Sequence, residues 1–318
     1  MVNAIMYPAN KKSSDNSRFK VLIGTAGVLI FAFFAIIALF FVFSLFSSSV
    51  MGKCVAVVDI DMELTTEGAE PSLFSYGVLG SEEMASVIRN LNERDDVGAI
   101  VFVINSPGGS VVATREVYDA VQELDKPKVS YFREVAASGA YYVATGTDYI
   151  ISDPDALTGS IGVIATFTQM GDLFEKLGVN VTSVTSGNHK DMGSSYRNMT
   201  QEERQIFQNL VDEVYAEFRG VVLENRRGKL DMAKFDEVTD GRILTGRQAV
   251  AVGLVDELGT KRDAILKAAE LAGMPEDSID DVSICPISTN GEEGGLFSAE
   301  AFINLFKMAS NKPSLNYK

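Results

Sequence analysis

Twenty-six consecutive residues, Val21 to Phe46, carry no charge and are built mostly from Phe, Ile, Leu, Val and Ala. Wound as a helix the run would be about 39 Å long at ~1.5 Å per residue, more than the ~30 Å hydrocarbon core of a bilayer. A cleaved leader has a shorter apolar stretch of about 7–15 residues, so the expectation for 21–46 is a transmembrane anchor. Lys11, Lys12, Arg18 and Lys20 precede it against Asp15 alone. That bias places the basic N-terminus, 1–20, in the cytoplasm. Everything after Phe46 is then outside the cell membrane, on a single-pass tether.

Without residues 1–20 the chain keeps 24 basic and 42 acidic residues, a formal charge of −18. So acidic a body is a poor partner for nucleic acid or for anionic headgroups. One histidine and two cysteines, with no Cys pair at ligand spacing, argue against a zinc site and suggest neither metal nor cofactor. Cys54 and Cys285 each sit in a strand-like apolar run. An extracytoplasmic compartment permits a disulfide between them, and two buried thiols fit the sequence equally well.

The soluble part reads as an α/β domain. Strand-like runs are expected at 53–60, 99–104, 128–131, 149–152, 161–164, 181–185 and 282–286, with helices at 81–93, 112–124, 138–144, 172–177, about 200–227 and about 260–272. Ser81 is expected to cap the first of these helices, and Thr200 with Glu203 forms a capping box for the long one. Strand, turn, helix, strand is the rhythm of a parallel sheet. Gly291 to Gly295 is a linker, and 296–308 is a tail apolar on one face. There is no internal repeat.

Ser138 lies between Ala137 and Gly139, so a hydroxyl stands beside an unobstructed backbone N–H. Acyl transfer needs that pairing of nucleophile and oxyanion donor, although Ala-Ser-Gly also opens ordinary helices. A serine nucleophile needs a base, and His189 and Lys190 are adjacent candidates. A solvated lysine is protonated at neutral pH, so Lys190 serves only if the site dries it.

Asn105-Ser-Pro-Gly-Gly109, Ala136-Ala-Ser138-Gly139, Thr158-Gly-Ser160-Ile-Gly162, His189-Lys190-Asp191, Asp240-Gly-Arg242 to Gly246 and Gly253-Leu-Val-Asp-Glu-Leu-Gly259 follow in this order. Together they resemble the signal peptide peptidase A family of serine proteases, peptidase family S49, in its short single-domain form. The likeness covers roughly 54–273. It implies a ClpP/crotonase-like fold of repeated β-β-α units with a mainly parallel sheet, and a catalytic domain at 53–273 followed by a C-terminal strand, linker and tail at 274–318. It also implies a Ser-Lys dyad, with Ser138 as nucleophile and Lys190 as general base. Ser160 would orient the lysine, and Gly109 and Gly139 would donate to the oxyanion. Remnant signal peptides or other membrane-released or misfolded polypeptides are the implied substrates. A homo-oligomer is the implied assembly, with Ser138 and Lys190 of one site either on one subunit or on neighbouring subunits. Ala140 departs from the family, which commonly has a second glycine there. A crotonase-like acyl-CoA enzyme and a catalytically silent oligomeric membrane scaffold remain as alternatives.

Overall fold

The computed structural model describes residues 33, 35–37, 53–69, 78–274 and 279–287, and the chain divides into a unit at 1–52 and a second at 53–318. Residues 33 and 35–37 are helical. The rest of the expected anchor, the basic N-terminus and the 296–308 tail lie outside the described residues. Among the described residues no helix is long and apolar enough to cross a membrane.

In the second unit the order is β1 (Cys54–Ile60), α1 (Ser81–Asn90), β2 (Val97–Ser106), α2 (Val111–Gln122), β3 (Lys128–Ala137), α3 (Gly139–Ala144), β4 (Tyr149–Ser152) and β5 (Leu157–Gly159). There follow α4 (Gly171–Lys176), α5 (Gln201–Asn225), α6 (Met232–Val238), β6 (Ile243–Thr245), α7 (Gly246–Val252), β7 (Glu257–Leu258), α8 (Lys261–Leu271) and β8 (Ile284–Ile287). The strands form one sheet in the order β6-β5-β3-β2-β1-β8, with β4 and β7 branching from β3. Every pairing is parallel except that of β5 with β6.

Strands β1 and β2 are mostly apolar because helices cover both faces. Ala56, Val58, Ile60, Ile100, Phe102 and Ile104 face a core shared with α1, α2, α3, α5 and α7. Val55, Val57, Ala99, Val101 and Val103 face the opposite side, against Ala264, Ile265, Ala268 and Ala269 of α8. Alternate residues of one strand thus enter two cores, as a period of two requires.

Strand β3 changes partner along its length. Val129 to Phe132 pair with β4, and Val135 to Ala137 pair with β5. Arg133 and Glu134, both exposed, mark the switch. The expected β-β-α repeat is not regular in the element order: a single strand precedes each of α1, α2 and α3, and only β4 and β5 stand together before α4.

Three sequence expectations need correction. Helix α1 is capped at Gly80, whose N–H donates to Glu83 Oε2 at 2.9 Å, while the buried Ser81 hydroxyl donates to Glu116 instead. Residues 161–164 and 181–185 form no strand, since among the described residues no strand pairs with them. Of the two readings left open for the cysteines, the disulfide is the one present: Cys54 and Cys285 are bonded, with Cα atoms 5.8 Å apart, and join β1 to the edge strand β8.

A buried ion pair accounts for one of the sequence motifs. Arg226, 1% exposed at the end of α5, donates to Asp256 at 2.7 Å and to the Gly253 carbonyl at 2.8 Å. Asp256 also accepts from the Ile150 N–H at 2.8 Å, so the Gly253 to Gly259 motif fixes α5 against β4. Removing Asp256 would strand Arg226 in the core, at a cost of about 3–5 kcal/mol, whereas removing Arg226 would leave Asp256 paired with Lys229 at 2.8 Å.

Candidate active site

Ser138 occupies the single residue between β3 and α3. Its backbone is left-handed, with φ 54° and ψ −125°, where a residue with a Cβ is strained. The turn is held from both sides: the Ser138 N–H donates to Gly159 O at 2.9 Å, and its carbonyl accepts from the Tyr142 N–H at 3.0 Å. A sharp strand-to-helix turn of this kind lifts the hydroxyl clear of the sheet.

The Asn105 to Gly109 segment comes up against that turn. Asn105 Oδ1 accepts from the Val135 N–H at 3.3 Å, and Ser106 Oγ accepts from the Gly108 N–H at 3.2 Å. Gly108 has φ 100°, and a Cβ there would stand 2.6 Å from the Gly139 nitrogen. A Cβ on Gly109 would meet the Leu64 carbonyl oxygen at 1.9 Å, and one on Gly139 would meet Thr114 Oγ1 at 2.2 Å. Only glycines let these backbones close up. Among the described residues neither the Gly109 nor the Gly139 N–H has an acceptor. Both border a cavity of about 200 Å³ that Ser138 also lines.

The cavity wall is mostly apolar, with Val111, Val163, Ile164, Val214 and Phe218. Tyr142 packs edge-on to Tyr118, ring centroids 4.9 Å apart, and against Phe218 at 5.1 Å. Burial first, and then the nearby Glu217 carboxylate, pushes the Tyr142 phenol up to about 12. Glu217 in turn pairs with Arg115, and this ion pair completes the lining.

The remaining sequence candidates, Ser160, His189 and Lys190, do not line the cavity. Ser160 follows β5 with φ 50°, and its N–H donates to Arg242 O at 2.8 Å. Lys190 sits on an exposed turn, does not line the cavity, and makes no side-chain hydrogen bond or ion pair among the described residues. Its neighbour Asp191 is fully engaged elsewhere, accepting from Arg197, Ser183 and Tyr196. Arg197 also holds Glu203, the capping-box residue of α5. His189 faces Glu202 at 3.7 Å in solvent. Of the sequence candidates, the structure brings Ser138, Gly139 and Gly109 to one cavity, and it adds Thr114 and Tyr142 to the lining, neither of which carries a local signature. The one described His, Cys, Asp and Glu cluster compact enough for a metal is Cys54, Asp96 and Cys285, and its two sulfurs are committed to the disulfide.

Residues 120–275 match peptidase family S49, and residues 78–151 match the Clp protease family. A putative protease of Synechocystis is 39% identical over 208 residues, spanning 64% of this chain and 74% of the relative. A putative protease of Methanocaldococcus jannaschii is 38% identical over 196 residues, 61% of this chain and 62% of the relative. The putative signal peptide peptidase SppA of Enterococcus faecium is 35% identical over 199 residues, covering 62% of this chain and 57% of the relative.

Proposed function

The chain belongs to peptidase family S49, and from that premise we propose that it is a serine endopeptidase whose nucleophile is Ser138 and whose base is Lys190. The observation that carries the reading is the strained turn at Ser138, set beside two unpaired N–H groups at the mouth of one cavity. Unpaired backbone donors near a nucleophile are what a developing oxyanion requires.

In the proposed reaction the Lys190 amine takes the Ser138 proton, and Oγ attacks the scissile carbonyl. The carbonyl oxygen becomes an oxyanion facing the Gly109 and Gly139 N–H groups. Collapse of the tetrahedral intermediate expels the amine product, which leaves with the proton carried by Lys190. Water, deprotonated by the same lysine, then attacks the ester carbonyl, and the lysine returns that proton to Ser138 Oγ as the acid product departs. Ser160 orients the amine throughout.

An exposed ammonium cannot act as a base, so Lys190 must be covered. We assign the cover to a second copy of the chain. The segment leading from the cavity to Lys190 exposes apolar side chains that a neighbour would bury, Ile164 at 86% and Val184 at 97%. Ser138 of one subunit would then meet Lys190 of the next. The uncharged run at 21–46 would tether the assembly to the cell membrane with the N-terminus in the cytoplasm. That topology makes signal-peptide remnants and other extracytoplasmic polypeptides the substrates. A cavity walled by Val111, Val163 and Phe218 suits a small or apolar side chain at the cut.

The test is covalent labelling of the assembled protein with a fluorophosphonate, followed by peptide mapping. Phosphonylation of Ser138, absent in Ser138→Ala, is the expected result. Labelling of a different residue, or none in a preparation that cleaves peptides, would refute the assignment.

A further inference from the structure

Thr114 lies in the first turn of α2, 5% exposed, and its Oγ1 is fully buried with no hydrogen-bond partner among the described residues. Threonines inside helices usually return their hydroxyl to a carbonyl one turn back. Here the backbone of that turn is satisfied without it: the Thr114 N–H donates to Ser110 O at 3.0 Å, and Ser110 Oγ caps Ala113 N at 3.3 Å. A buried hydroxyl left unpaired costs stability, so the site it faces is the place to look for its acceptor.

That place is the candidate active site. Thr114 lines the cavity beside Ser138. The point where a side chain on residue 139 would begin is 2.2 Å from Thr114 Oγ1 and 3.3 Å from the Gly109 nitrogen. The hydroxyl and the Gly109 nitrogen therefore both lie close to Gly139, on the side from which a side chain there would project. The two N–H groups there are unpaired as well.

We infer that Thr114 is a third oxyanion donor: its O–H hydrogen-bonds to the negative oxygen formed when Ser138 attacks, and keeps its proton throughout. This rests on the assignment of Ser138 as nucleophile. The resting chain leaves the donor unpaired, so the bond is made only when charge appears, which is the condition for an interaction to lower the barrier rather than tighten ground-state binding.

Thr114→Val removes the hydroxyl and keeps the shape. In the assembled enzyme kcat should fall about 10²-fold with KM changed less than about two-fold, the pattern of a lost oxyanion donor. Binding of a peptide aldehyde, whose adduct with Ser138 carries the same oxyanion, should weaken in parallel with kcat/KM. Thr114→Ser should retain most of kcat. The Tm of Thr114→Val should equal or exceed that of the wild type, because an unpaired buried hydroxyl has been deleted. An unchanged kcat in Thr114→Val overturns the inference, and so does a fall in kcat accompanied by a lower Tm, which would mark a structural hydroxyl. Fluorophosphonate labelling separates the two assignments. If the wild type labels at Ser138 and Thr114→Val labels and turns over equally fast, only the Thr114 role fails. If the wild type does not label at Ser138, both fail.

Discussion

Asp191 gives its two carboxylate oxygens to Arg197, at 2.7 and 3.0 Å, rather than to the adjacent Lys190. Arg197 reaches on to Glu203 at the start of α5. The turn that carries the proposed base is thus pinned by a charge network that leaves the base itself unneutralised. Arg197→Gln should free the turn. Amide exchange across 183–197 should quicken, and kcat should fall by about 10²-fold, the penalty for misplacing a positioned group by roughly 1 Å.

The same network sets an acid limit. Arg197 holds Glu203 down at about 2, from an ordinary 4.5, and holds Asp191 well below the usual carboxylate range. A carboxylate depressed in the folded state stabilises fully above its unfolded value, and loses that contribution as pH falls toward its folded value. Anchoring of the Lys190 turn should therefore be intact above pH 4.5 and decay from there toward pH 2. Exchange measured across 183–197 at graded pH would check this; loosening that begins near neutrality would contradict it.

The glycines at the site predict two different kinds of damage. A Cβ on Gly109 collides with the Leu64 backbone at 1.9 Å, and backbone cannot rotate out of the way. Gly109→Ala should lose activity together with stability, by about 1–3 kcal/mol, as overpacking does. A Cβ on Gly139 meets chiefly the Thr114 side chain at 2.2 Å. Gly139→Ala should lose activity with a smaller fall in Tm. Paired measurements of kcat and thermal unfolding distinguish the two.

Shared sites predict complementation. Ser138→Ala and Lys190→Ala should each be inactive alone. Mixed and reassembled, they should recover part of the activity, because an intact Ser138 on one copy can meet an intact Lys190 on the next. No recovery from a mixture shown to co-assemble would place both residues of each site on one chain. His189→Ala should retain substantial activity, since His189 is exposed beside Glu202 and apart from the cavity.

Most of the sheet was readable because buried parallel strands are continuous apolar runs, as in β1, β2 and β4. The second half of β3 was not, because exposed Arg133 and Glu134 interrupt the run where the strand changes partner. The reverse error came at 181–185, where Val181 and Val184 suggest a strand and none forms among the described residues. At the site, Ser138 and Gly139 were legible as candidates from the Ala-Ser-Gly motif, and Gly109 from the family resemblance. Thr114 and Arg197 were not. Each matters for a residue that folding brings to it: Thr114 for Gly139, 25 positions later in the chain, and Arg197 for the orientation of a turn.

The disulfide predicts a dissociation of stability from activity. Cys54 and Cys285 join β1 to β8, an edge strand whose only described partner is β1. Ser138 follows β3, with β2 intervening between β3 and β1. The bond closes a loop across 231 residues of sequence. Cross-links typically contribute about 2–4 kcal/mol, through an unfolded chain with fewer conformations to lose. The Cys54→Ser, Cys285→Ser double variant should therefore unfold several degrees earlier, and exchange at Ile284 to Ile287 should rise first. Its kcat at a temperature where it remains folded should stay close to that of the wild type. A matching fall in kcat under those conditions would mean that the β8 edge is coupled to the Ser138 turn through the sheet.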